Sequence, residues 1–131
     1  MSAAVALETL TIYEDRNIVG HVKQVSPALQ NGLRRFAEHP LVGEVRGIGL
    51  VGAVELVRDK ETKRAFDPKS GVGARCQNFA YEHGLIIRAL GDSLAFCPPL
   101  VISEDETHEL LDCFEKALND TWGWVQAEAP A

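Results

Sequence analysis

A chain of 131 residues, 46 % of them hydrophobic, is long and apolar enough to bury one core, which excludes a disordered segment and fits a single domain over residues 1–131. A net charge of −6 and a pI near 5.2 argue against nucleic acid or an anionic membrane as the main partner. No apolar run approaches the roughly 18 residues of a membrane span, and no basic start followed by an apolar stretch marks a secretory signal.

The first predicted helix runs from Ala3 to Glu14. Three alanines favour it by propensity, Leu7 and Leu10 supply an apolar contact, and Ser2 is a candidate N-cap. A second helix is predicted from Ile18 to His39, where Ile18, Val22, Val25, Leu29, Leu33 and Phe36 recur at steps of three and four. Pro27 interrupts it: either Ser26 caps a restarted helix, or the helix kinks. Lys23, Gln24, Gln30, Asn31 and Arg34 fall mostly on the solvated face.

His39-Pro40 ends that helix. Strands follow at Glu44–Gly47 and Leu50–Val57, punctuated by Gly43, Gly47, Gly49 and Gly52. Glycine within a strand marks a bulge or a close backbone approach. No Gly-Lys-Ser/Thr follows, so this is not a phosphate loop. Glu55 is expected to face solvent. Arg58 to Ser70 is a polar surface loop with a turn at Asp67-Pro68. A third helix spans Val72 to His83, with Gly84 as its C′ residue.

The stretch from Leu85 to Cys97 reads as a hairpin, with strands Leu85–Leu90 and Leu94–Cys97 around Gly91-Asp92. Pro98-Pro99 stops further pairing. Ser103 and Glu106 form a capping box for the last helix, with Glu104, Asp105 and Glu106 at the positive end of its dipole. Its buried stripe is Leu110, Leu111, Phe114, Ala117, Leu118 and Trp122. Gly123 ends or loosens it, and 127–131 form a fraying tail. The order helix, helix, strand, strand, helix, strand, strand, helix is an α+β layout, a small and largely antiparallel sheet covered by helices.

Chemistry-bearing motifs are few. His21, His39, His83 and His108 show no metal-ligand spacing, and no metal site is expected. No serine lies in a G-x-S-x-G elbow. Cys76, Cys97 and Cys113 are odd in number with no C-x-x-C pair. They read as buried thiols in a reducing compartment, so the cytosol is expected, and Cys97 reads as a core thiol. Arg88 is the one charge in its apolar strand. It either snorkels outward from an edge or wet face, or it binds a substrate carboxylate through two parallel hydrogen bonds.

Three stretches taken together carry a family resemblance: AAVALETLTIYED from Ala3, HPLVGEVRGIGLVGAVELVRD from His39, and EHGLIIRALGDSLAFCPPLVISEDE from Glu82. In that order and spacing they resemble the C-terminal small domain of class III (ω-type) aminotransferases, pyridoxal-phosphate enzymes of the aspartate-aminotransferase fold. Arg-x-x-Gly-Asp followed by Pro-Pro resembles the branch acting on ω-amino acids and amines with pyruvate as acceptor. The resemblance implies that Arg88 is the substrate-carboxylate arginine and that no residue here is catalytic, cofactor-binding or metal-binding. It also implies an obligate homodimer, with a small domain closing over the cofactor cleft and a first helix continuing from the large domain.

The family's large domain, with its Schiff-base lysine, pyridine-nitrogen aspartate and most phosphate contacts, is absent from these residues. Lys23, Lys60, Lys63, Lys69 and Lys116 match no Schiff-base segment. This chain alone is therefore expected to bind no pyridoxal phosphate and not to transaminate. Three other readings stay open. One is a stand-alone binding module for small carboxylates. Another is a structural or dimerising piece, favoured if Leu7, Leu10 and the Val22–Leu33 stripe are exposed. The third is a fragment of a decarboxylase or aminomutase of the same fold.

Overall fold

A computed structural model of the chain describes residues 2–128. The expected element order holds: α1 (Ser2–Asp15), α2 (Ile18–Arg35), β1 (Val42–Ile48), β2 (Val51–Leu56), α3 (Val72–Glu82), β3 (Arg88–Leu90), β4 (Ser93–Phe96) and α4 (Glu104–Glu128). The strands form one sheet in the order β1-β2-β4-β3, and every pairing is antiparallel. The fold is α+β with an open four-stranded sheet. Among the described residues no helix is long and apolar enough to cross a membrane.

The core lies between one sheet face and helices α2, α3 and α4. Val54, Leu94 and Phe96 point into it from the strands, Leu29 and Leu33 from α2, Cys76 from α3, and Leu111, Phe114 and Leu118 from α4. Phe114 meets the ring edges of both Phe36 and Phe96, with centroids 5.1 and 4.8 Å apart. Such edge-to-face pairs add about 0.5–1.5 kcal/mol each beyond buried area.

α2 buries its predicted stripe and runs unbroken through Pro27 to Arg35, with a 3-10 turn at Phe36–Glu38. The Ser26 hydroxyl donates back to the Val22 carbonyl, so it does not cap a restarted helix. Gln30 is not merely solvated. Its amide donates to the carbonyls of Gly49 at 2.9 Å and Val51 at 3.1 Å, holding the β1–β2 turn. Gly49 has φ +59 in that turn. The expected bulge sits at Gly43, where the register shifts between Val42 and Glu44.

Two boundaries and one buried face differ from expectation. β3 starts at Arg88 rather than Leu85, because its only partner, β4, ends at Phe96 before Pro98-Pro99. α4 continues through Gly123 to Glu128, since packing outweighs the roughly 1 kcal/mol helix cost of one glycine. α1 does not bury its leucines: Leu7 is 67 % and Leu10 59 % exposed. The expected Ser2 side-chain cap and the fraying of 129–131 lie outside the described residues.

Two caps match expectation closely. Ser103 N–H donates to Glu106 Oε2 at 2.8 Å, and Glu106 N–H donates to Ser103 Oγ at 3.1 Å. These bonds hold the Glu106 carboxyl below its usual range. At the end of α3, Gly84 takes φ +86. There Leu85 N–H reaches the Ala80 carbonyl and Gly84 N–H the Tyr81 carbonyl, a Schellman closure.

Candidate functional site on the uncovered sheet face

Among the described residues, helices cover one face of the sheet. Residues directly opposite on paired strands share a face, so the register fixes what the other face carries. One cross-strand row on it reads Arg46, Ala53, Ala95, Arg88. The next reads Glu44, Glu55, Ser93, Leu90. Two alanines thus floor a strip between two arginines. Three strand spacings separate their backbones, roughly 14 Å.

The two arginines differ in their surroundings. Arg46 donates to Glu55 Oε2 at 2.7 Å, with Glu44 Oε1 at 3.8 Å, and its hydrogen bond to Glu55 raises its pKa. Its charge is locally answered. Glu55, expected simply to face solvent, is the partner that answers it. Arg88 begins the edge strand β3 and is exposed. Among the described residues no carboxylate pairs with it. Alternation sends Ala89 to the helix side and Arg88 to the open side.

The hairpin carrying Arg88 is anchored from below. Gly91 takes φ +61 as the first residue of the two-residue turn, the position at which a II′ turn asks for glycine. The Asp92 carboxylate accepts the Gly73 N–H at 2.9 Å, and the Gln77 side-chain carbonyl accepts the Ala89 N–H at 2.7 Å. Both bonds go to α3. Sequence reasoning missed both, as well as the Arg46–Glu55 pair, because each joins residues whose proximity only the fold creates.

The remaining candidates fall elsewhere. A cavity of about 570 Å³ lies between the hairpin base, the 97–102 loop and α4, lined mainly by apolar side chains such as Leu85, Ile87, Phe96 and Leu110. Two of its polar lining residues are engaged elsewhere: His83 Nε2 lies 2.6 Å from Asp120 Oδ2, and Glu106 closes the capping box. No lysine or arginine lines it. Cys76 is buried, and burial pushes its thiol up to about 11, so it stays protonated at neutral pH. Cys97 is exposed, not a core thiol, because β4 ends at Phe96 and Cys97 lies in the loop beyond it. Cys113 is half-buried and free. Among the described residues no group of three His, Cys, Asp or Glu is placed to hold a metal ion.

A seat for pyridoxal phosphate needs an amine for the aldehyde, an acid for the pyridine nitrogen and donors around the phosphate. All five lysines are exposed on the surface. Lys60 is occupied with the carbonyls of Ala37 and His39. Among the described residues no lysine lines the cavity, so none is placed there to meet the aldehyde.

The family model for aminotransferase class-III matches residues 1–118. The chain is 41 % identical over 126 residues to the chloroplastic gamma aminobutyrate transaminase 3 of Solanum lycopersicum, covering 96 % of this chain and 24 % of that protein. It is 43 % identical over 128 residues to the putrescine–pyruvate aminotransferase of Pseudomonas aeruginosa, covering 97 % and 28 %. In structure it is similar to the omega transaminase from Pseudomonas jessenii in complex with PMP. There the TM-score is 0.88 at 46 % identity, covering 95 % of this chain and 28 % of that one. The chain therefore spans about a quarter of the length of the relatives it matches.

Proposed function

Because this chain belongs to the class-III aminotransferases, we propose that it is the C-terminal small domain of a pyridoxal-phosphate enzyme and contributes the substrate-carboxylate arginine, Arg88. The complete enzyme transfers an amino group from an ω-amino acid or amine to an α-keto acid such as pyruvate. Relatives named for gamma-aminobutyrate and for putrescine with pyruvate support that substrate range. The observation that carries the reading is the contrast on the open face. Arg46 is neutralised by Glu44 on its own strand and Glu55 on β2, while Arg88 stands exposed at the end of the same row with no carboxylate paired to it among the described residues.

This domain's part is binding rather than bond-making. The planar guanidinium can hold both oxygens of a keto-acid carboxylate through parallel N–H···O bonds. Its flexible stem, over the small Ala95, leaves it free to turn aside when the donor is an amine without a carboxylate. The aldehyde chemistry belongs to the rest of the complete enzyme, which holds the cofactor. We also infer a homodimer. Support comes from α1, where Val5, Leu7 and Leu10 present an exposed apolar surface of the kind that seeks a partner. The α2 stripe is buried within the domain and is not part of that surface. Three free cysteines fit a reducing compartment such as the cytosol.

Steady-state kinetics of Arg88→Ala in the complete enzyme test the role. The KM for pyruvate should rise about 30-fold or more, the loss of a charge-assisted bidentate contact, while the KM for putrescine stays within about twofold. Equal effects on both substrates remove the role.

A further inference from the structure

We propose that Gln77 is a positioning residue for Arg88, acting through the backbone of β3. The inference rests on the carboxylate-binding reading of Arg88 and adds to it the group that aims the arginine.

β3 has three residues and a partner on one side only. A strand this short, at an edge, does not by itself fix a side-chain direction. The bond from Ala89 N–H to the Gln77 side-chain carbonyl supplies a second support, at 2.7 Å. That N–H and the Arg88 carbonyl belong to one planar peptide unit. Holding the plane fixes the backbone torsion that follows the Arg88 Cα, and with it the direction of the Arg88 Cα–Cβ bond. Gln77 lies on the helix side and Arg88 on the open side, so the influence runs through the main chain and not through side-chain contact.

The support is braced. Gly73 and Gln77 are four residues apart on α3, one helical turn, and so share a face. Gly73 N–H donates to Asp92 Oδ1 at 2.9 Å, within the turn that follows β3. A Cβ at Gly73 would stand 2.0 Å from the Gly91 carbonyl oxygen, so the helix and the turn are in close backbone contact. α3 therefore grips the Arg88 hairpin at two points, and Gln77 is the one adjoining the arginine. A bond that only protected the strand edge would show no preference among substrates.

The test uses the complete enzyme and two variants that lose the acceptor at that reach: Gln77→Met, of similar length, and Gln77→Asn, one carbon shorter. Each should raise the KM for pyruvate about three- to tenfold, the loss of one part-buried hydrogen bond, and leave kcat and the KM for putrescine within about twofold. Gln77→Glu keeps an acceptor at the same reach and should restore the pyruvate KM to within about twofold. In an Arg88→Ala background, Gln77→Met should add nothing to the pyruvate KM, because the group it aims is gone. The inference is overturned if the Gln77 variants leave the pyruvate KM unchanged while Arg88→Ala raises it. It is also overturned if they shift both substrates alike, or if their effect persists without Arg88. An Arg88→Ala enzyme with no selective defect would instead overturn the parent reading, and the role of Gln77 with it.

Discussion

Asp92 and Gly73 lie 19 residues apart in sequence, yet the Asp92 carboxylate accepts the Gly73 N–H at 2.9 Å. Gly73 is the second residue of α3, whose own N-cap, Gly71, offers no side chain. The hairpin turn thus caps the helix from outside. Asp92→Ala should cost about 1 kcal/mol, the usual loss for a missing cap, and Asp92→Asn clearly less. Urea unfolding of the two variants checks this. Equal stability of Asp92→Ala and the parent protein would remove the cap from the account.

Two glycines inside helices should respond differently to alanine. A Cβ at Gly73 meets the Gly91 backbone oxygen at 2.0 Å, whereas a Cβ at Gly32 meets the Leu111 Cδ1 at 2.1 Å. Both substitutions gain about 1 kcal/mol of helix propensity. Backbone cannot step aside, so Gly73→Ala should still lose about 2–3 kcal/mol net, at the upper end of overpacking costs. The Leu111 methyl can rotate away, and Gly32→Ala should cost about 1 kcal/mol or less. Denaturation midpoints in the reverse order would contradict the close approach of α3 and the turn.

Mild acid should weaken the fold through His39. Burial lowers its pKa from 6.5, as does Lys60 nearby, against opposing pulls from a hydrogen bond to Asn119 and the charge of Glu115. Its Nδ1 accepts the Leu41 N–H at 3.2 Å, which requires an unprotonated nitrogen. The unfolded chain therefore binds the proton more readily than the folded one. The stabilisation is present above pH 6.5 and is lost as pH falls through the lower folded value. Calorimetry from pH 7.5 down to 5.5 should show Tm falling, with a shallower fall in His39→Gln, which keeps an acceptor but does not titrate. Parallel curves would contradict this. Asp59 and Glu106, both held low by hydrogen bonds from neighbouring residues, act in a separate window below about pH 4.

The parts of the fold that sequence revealed are those set by local physics. The Ser103–Glu106 box, the Gly84 helix end and the Gly91 turn each depend on residues within a few positions, and each formed as expected. The α2 stripe was legible because a period of 3.6 needs no knowledge of the partner. β3 was read too long because its apolar run continues back to Leu85, while its length is set by where β4 stops. Gly123 reads from sequence as ending or loosening its helix, and Pro27 as restarting or kinking its own, because propensity is local and packing is not. Arg88 was singled out by composition contrast within its own strand. Gln77, Gln30 and the Arg46–Glu55 pair left no such contrast, since an ordinary polar residue becomes informative only when a distant backbone group reaches it.

The claim on which the functional account depends is that the Arg88 guanidinium receives a carboxylate from the substrate. A crystal structure of the complete enzyme with pyruvate bound tests it most directly. The account predicts two guanidinium nitrogens of Arg88 about 2.7–2.9 Å from the two carboxylate oxygens, the geometry of a charge-assisted fork. A bound keto acid whose carboxylate is held by other residues, with Arg88 turned into bulk water, would contradict it.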